Sequence, residues 1–161
     1  MPHRTRDGVE LVVIPYQPHH ASAFRDLNLD WIQEYFVVEA KDRELLFSPQ
    51  EHILDQGGAI WIAERDGIAI GCCALLNHGG GVYEVAKMAV AREFRNAGVG
   101  RILLHEVIDG AGALDATTLT IISNTVLGSA IHLYKAMGFV EVPLESDAYA
   151  RGNIALALTL S

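Results

Sequence analysis

Arg95-Asn96-Ala97-Gly98-Val99-Gly100 joins a β-branched run, Val82–Val90, to a helical one over residues 98–113. A helix start exposes backbone N–H groups that have no intrahelical acceptor, together with the positive end of the helix dipole. An anionic diphosphate fits there when no side chain blocks its approach. Gly98 and Gly100 remove two Cβ atoms where phosphate oxygens would come close, and Arg95 can add charge-assisted hydrogen bonds. Two glycines at a helix start also serve simple close packing of helix on strand, so the hexapeptide alone leaves both readings open. Other nucleotide motifs fail. A dinucleotide fingerprint needs a third glycine where Leu103 stands, and a P-loop needs a Gly-Lys pair, which the chain lacks.

The flanking elements extend this turn into a fold. Residues 117–122 read as a strand, so the 82–122 segment is a βαβ unit with a right-handed crossover. Residues 127–137 have helical apolar spacing at Leu127, Ala130, Ile131 and Tyr134, with Gly138 placed as a left-handed cap. The last strands are 139–142 and 153–160. Upstream, strands 59–65 and 68–76 flank Asp66-Gly67, a strong hairpin signal. Residues 9–14 form the first strand, and 20–35 read as one helix or two. Ser48-Pro49-Gln50-Glu51 has the form of a capping box opening a short helix that ends near Gly57-Gly58. Antiparallel strands followed by a βαβ unit indicate an α+β domain with a mixed sheet. It is expected to fill residues 9–161, after a disordered or extended arm over 1–8.

Composition narrows the function classes. The chain has 161 residues and a formal net charge of -8; half its residues are apolar and a fifth charged. An acidic chain is a poor partner for nucleic acid, which needs clustered Lys and Arg, and suits a basic amine better. No apolar stretch is long enough for a bilayer, and the polar start lacks a signal core. The expectation is a cytoplasmic protein with no membrane partner. Cys72 and Cys73 are adjacent and read as small apolar residues of a buried strand rather than a disulfide or redox pair.

Three pieces together resemble the GCN5-related N-acetyltransferase (GNAT) superfamily. They are Tyr83-Glu-Val-Ala-Lys-Met-Ala-Val90, then Arg95-Asn-Ala-Gly-Val-Gly100, then Ala130-Ile-His-Leu-Tyr-Lys-Ala-Met-Gly-Phe139. The first two resemble a strand feeding the Q/R-x-x-G-x-G/A acetyl-CoA turn, and the third resembles the superfamily's LYxxxGF helix end. Asn96 stands where many members have glycine. The resemblance implies a mixed, mostly antiparallel sheet with helices on both faces and a parallel strand pair, here 82–90 and 117–122, that splays apart. It implies acetyl-CoA as co-substrate, with no metal. The backbone of Asn96, Ala97, Gly98, Val99, Gly100 and Arg101, with Arg95, would hold the diphosphate. The backbone of Met88, Ala89 and Val90 would pair with the pantetheine arm like an added strand. Asn124 would hydrogen-bond that arm or order a water, although a plain loop role fits it too. The acceptor would be a small-molecule or peptide amine, and homodimers are common in the superfamily.

Acetyl transfer by direct attack of an amine needs a base, a polarised thioester carbonyl and an acid for the leaving thiolate. By resemblance Glu84 is the candidate base, since its place eleven residues before Arg95 matches the catalytic glutamate of the superfamily's histone-acetylating branch; a solvated strand-end charge or a substrate contact is its alternative. By resemblance to the tyrosine of the LYxxxGF motif Tyr134 is the candidate acid, or else a core tyrosine. The N–H of Met88 would polarise the carbonyl. Tyr149 and Arg151, with Asn153, start the last strand and line the expected acceptor pocket by resemblance. Asn28 and Tyr35, with Trp31 and Glu39, come from the early helices that wall it. His105 and Asp109 lie four apart on a helix but lack a third ligand and the HExxH pattern, so they read as a solvated face. The competing functional class is a catalytically idle acyl-CoA-binding regulatory module on the same fold.

Overall fold

The computed structural model describes residues 2–145 and 149–160. Eight strands and four α-helices follow one another as β1 (Pro2–Arg4), β2 (Glu10–Pro15), α1 (Ala21–Tyr35), α2 (Ala40–Phe47), β3 (Ala59–Arg65), β4 (Ile68–Asn77), β5 (Val82–Val90), α3 (Val99–Ala113), β6 (Thr118–Ser123), α4 (Gly128–Ala136), β7 (Val140–Val142) and β8 (Ile154–Thr159). The strands form one sheet in the order β1-β2-β3-β4-β5-β6-β8-β7. All neighbours are antiparallel except β5 and β6. This is the α+β fold with a mostly antiparallel sheet that the sequence implies.

Strand β4 shows why the sheet is covered on both sides. Its residues 70–76 are all buried. Cys72, Ala74 and Leu76 join a cluster with Phe24 and Ile32 of α1 and Leu45 and Leu46 of α2. Cys73 and Leu75 point the other way, to Leu104, Val107 and Ala111 of α3. Alternation along a strand thus feeds two cores from one sequence run. Burial raises the Cys72 thiol to about 12, so it is an inert packing group.

The N-terminal arm, read as disordered or extended, is extended over its first residues: β1 pairs along β2, and His3 Nε2 lies 2.8 Å from Glu106 Oε1 of α3. Two elements depart from the sequence reading. Helix α2 carries no clear apolar period and was not expected. Its start is tied by the Asp42 carboxylate, which accepts from the Glu39 N–H at 2.8 Å. The capping box at Ser48 does not form. Pro49 precedes a single π-helical turn, Gln50–Leu54, with no side-chain cap.

The parallel contact between β5 and β6 is short. It runs from Val82↔Thr118 to Glu84↔Thr120 and stops there, although β5 continues to Val90 and β6 to Ser123. On its other edge β5 stays paired with β4 up to Val90, through one irregularity. Two residues, Lys87 and Met88, oppose Cys73 alone, and Lys87 adopts φ 55°. This is a β-bulge, the device that re-aims a side chain at a strand edge. It turns Lys87 to the face that carries α2.

Candidate active site

A cleft of about 560 Å³ opens where β5 and β6 part. Its floor is β5 from Glu84 to Val90. One end is the turn at Arg95, Asn96, Gly98, Gly100 and Arg101, and α4 contributes Tyr134. The other end is walled by Trp31, Tyr35 and Phe36, with Tyr149 and Arg151 ahead of β8.

The turn has the properties read from its sequence. Asn96 and Gly98 adopt φ 62° and 95°, the left-handed region. Helix α3 makes its first backbone bond from the Ile102 N–H to the Gly98 carbonyl. None of the amides from Asn96 to Arg101 makes a backbone hydrogen bond of ordinary geometry among the described residues. Six consecutive donors are therefore free at the positive end of a 15-residue helix. A Cβ on Gly100 would meet only Leu133 Cδ2, at 3.7 Å. Val99 is different: its side chain packs in the core with Leu11, Ala63 and Leu103, so only its N–H remains for a ligand. Ala97 is outside the cleft wall. Arg95 is already engaged. Its Nε donates to the Val90 carbonyl at 3.1 Å and its Nη1 to Glu34 at 3.0 Å, while Nη2 is buried without a hydrogen-bond partner.

Met88, Ala89 and Val90 lie on the part of β5 that β6 has left. Backbone groups on that edge have no strand partner, a costly state for buried amides unless a ligand or water supplies one. Tyr134 lines the same stretch of cleft, its ring tilted against Phe139 with centroids 6.3 Å apart. Burial pushes its phenol pKa well above the ordinary value, so the proton stays on oxygen.

Glu84 is 7% exposed and sits at the last paired position of β5. His78, in the loop before β5, brings its Nε2 to 2.8 Å from Glu84 Oε1. The hydrogen bond to Glu84 raises the His78 pKa against the effect of burial. His78 had no signal in the sequence beyond its place in a glycine-rich loop.

Beside Glu84 is a buried ionic cluster that the sequence reading missed. Asp42 of α2, wholly buried, lies 2.5 Å from Lys87 Nζ and accepts two hydrogen bonds from Arg151, at 2.7 and 2.8 Å. Arg151 also reaches Glu39 at 3.2 Å. Burial alone would raise the Asp42 carboxyl. The hydrogen bond from Arg151 and the charge and hydrogen bond of Lys87 overcome that and hold it well below the usual range. Burial draws the Lys87 ammonium down while Asp42 holds its proton on. The Tyr149 ring lies 4.6 Å from Lys87 Nζ and 4.5 Å from the Arg151 guanidinium carbon. Its hydroxyl is buried with no hydrogen-bond partner among the described residues.

Asn28 and Asn153 lie away from the cleft, and Asn124 borders it. Asn28 is fully buried; it donates to the Phe24 carbonyl at 2.9 Å and to Cys72 Sγ at 3.3 Å, and accepts from the Trp31 indole. A substrate cannot reach it. Asn124 borders the cleft, but its amide donates to the Arg151 carbonyl at 2.7 Å and its oxygen accepts from the Val126 N–H at 2.8 Å. Asn153 bonds Thr125 and lies outside the cleft. Glu39 is likewise outside the wall and acts through Arg151. Tyr35 is 53% exposed at the rim.

Two clusters of metal-ligand type are explained without a metal. His105 Nδ1 and Asp109 Oδ2 stand 3.5 Å apart on an exposed face of α3. His19, His20 and Glu64 bring donor atoms within 4.8 Å of one another. His20 Nδ1 accepts the Gln17 N–H at 2.8 Å, so the ring proton sits on Nε2 and is donated to Glu64 at 2.7 Å. That tautomer leaves His20 no lone pair for an ion.

Comparison with known proteins agrees with this geometry. A family model described as the acetyltransferase (GNAT) domain matches residues 56–141, from the end of the π-helical turn to β7. An uncharacterised N-acetyltransferase of Chlorobaculum tepidum is 33% identical over 98 residues, which cover 59% of this chain and 56% of the relative. The matched region thus spans just over half of that protein's length. An uncharacterised N-acetyltransferase of Schizosaccharomyces pombe is 26% identical over 126 residues, covering 76% of this chain and 77% of its own. Among solved structures, an acetyltransferase of GNAT family from Staphylococcus aureus superposes with a TM-score of 0.84 at 19% identity, covering 94% of this chain and 99% of that one. A GNAT family acetyltransferase from Elizabethkingia anophelis with acetyl-CoA bound gives 0.65 at 21% identity, covering 93% and 98%. At these identities the structures speak for the fold.

Proposed function

Because the chain belongs to the GNAT acetyltransferase family, we propose that it transfers the acetyl group of acetyl-CoA to the amine of a small molecule or peptide, by direct attack within one cleft. One observation carries the reading. The free amides of residues 96–101 and the abandoned edge of β5 lie in a single cleft, one fit for a diphosphate and the other for an extended amide-bearing arm. The acetyl-CoA bound in the Elizabethkingia neighbour supports the choice of co-substrate.

The residues divide the chemistry as follows. The Met88 N–H, on the bulged stretch of β5, polarises the thioester carbonyl as it gains negative charge. Glu84 takes the proton that the attacking amine loses, directly or through water. His78 donates to one oxygen of Glu84 and leaves the other for that proton. Tyr134, whose burial keeps its proton in place, supplies it to the departing thiolate. Tyr35, Tyr149 and Arg151 form the acceptor end. Arg151 and Lys87 are balanced by Asp42 and Glu39, and Glu84, hydrogen-bonded to His78, is the carboxylate that faces a cationic amine.

A calorimetric titration with acetyl-CoA and a turnover assay over a panel of amines test this. Binding is expected for the wild type and lost in Gly98→Trp, which places a bulky side chain on a left-handed residue of the cradle. With an acceptor found, Glu84→Gln and Tyr134→Phe each lower kcat by ~10²-fold or more, with acetyl-CoA affinity kept. Coenzyme binding with no turnover on any amine would favour the idle binding module instead. No binding at all would remove the assignment.

A further inference from the structure

Two arginines flank the diphosphate turn, and both are held by the acceptor-side helix. Arg92 makes a two-point contact with Asp30 of α1, at 2.8 and 3.1 Å, and reaches Glu34 at 3.2 Å. Arg95 reaches Glu34 at 3.0 Å and approaches Asp30 at 3.5 Å. Two cations and two carboxylates thus cancel beside a cradle of free amides. Arg95 is only partly spent: Nη2, the atom that approaches Asp30, is buried and makes no hydrogen bond among the described residues, and Nε is fixed to the Val90 carbonyl at the end of β5. The guanidinium therefore keeps its place on the cleft wall whether or not Glu34 is charged.

Resting on the acetyl-CoA reading above, we propose that Asp30 and Glu34 are positioning residues that moderate the grip on the coenzyme's diphosphate. They draw charge away from Arg92 and Arg95 that would otherwise add to the amides of residues 96–101. The chemistry gives this a use. Acetyl-CoA and the product CoA carry the same phosphates, so any gain in holding the first also slows release of the second. The carboxylates also lie on α1, one turn or less from Trp31 and Tyr35 of the acceptor wall. A diphosphate that competes for Arg95 thereby loosens the tie between α1 and the turn.

The test is titration of wild type, Glu34→Gln and Asp30→Asn with CoA at low and high salt. S-acetylpantetheine, which lacks the diphosphate, serves as a second probe. Removing either carboxylate is expected to tighten CoA binding about fivefold at low salt, the scale of one exposed charge pair. The gain should shrink at 0.5 M salt by screening, which is roughly a few ångströms in reach there. S-acetylpantetheine affinity is expected to stay the same. Unchanged or weaker CoA binding in both variants overturns the proposal, because the carboxylates would then only brace the arginines. Equal tightening of both probes also overturns it, since the effect would not act through phosphate. A wild type that binds no CoA overturns the acetyl-CoA reading itself, a separate result.

Discussion

Asp42 shows what a single residue can decide in this molecule. It has no exposure, two cationic partners and a place beside the candidate base. Its folded carboxyl pKa is depressed below the ordinary 3.8. By linkage, its stabilisation is fully present above the unfolded value, near pH 4, and is lost as pH falls through the folded one. Asp42→Asn leaves Lys87 buried without its counter-charge and Arg151 with Glu39 alone. It should cost about 3–5 kcal/mol at pH 7, a gap that narrows below about pH 4. Urea unfolding of both proteins between pH 2.5 and 7 checks this; a constant gap across that range would contradict it. Residues whose role follows from neighbours in sequence, such as Gly98 and Gly100, were legible in the chain. Arg151 was named only as part of the acceptor wall; its ion pairing with Asp42, and that of Lys87, was not legible, because these residues meet across 45 and 109 positions. Asn28 was misread for the complementary reason. Its helix does wall the cleft, but its side chain points the other way, to Cys72, and no pattern of a lone polar residue reveals that direction.

At the scale of elements, the distance between α3 and the sheet depends on a residue with no side chain. A Cβ on Gly110 would lie 2.2 Å from Trp61 Cζ2 of β3, with two further ring atoms at 3.1 Å. Alanine is favoured over glycine inside a helix by about 1 kcal/mol. The steric term should win here, because an indole ring packed between helix and sheet cannot yield like a flexible chain end. Gly110→Ala is expected to destabilise by about 1–3 kcal/mol, read as a lower thermal midpoint. A stabilised variant would show that the interface has slack. Helix α3 itself was plain from its apolar spacing and the glycines at its start. Helix α2 was hidden, since Ala40–Phe47 sets four charged residues before a short apolar run with no helical period and is held mainly by its tertiary burial of Leu45 and Leu46. Strand β1 was hidden too, since Pro2-His3-Arg4 has no apolar alternation and gains strand geometry only by pairing with β2.

At the scale of the whole molecule, the fold is one sheet with a core on each face and a deliberate break in its ladder. The break lets β5 and β6 line a cleft where the turn before α3, the bulge at Lys87 and the buried ionic cluster converge. The sequence order conveyed the sheet, because each hairpin and crossover carries a local signal. The bulge was not conveyed, because it appears only in the register of β5 against β4. The central claim is that one ligand spans both the free amides of residues 96–101 and the open edge of β5. Amide NMR of the labelled protein during titration with acetyl-CoA tests it most directly. Shifts and slowed hydrogen exchange are expected together at Asn96–Arg101 and at Met88–Val90. Binding that leaves either set unchanged would contradict the account.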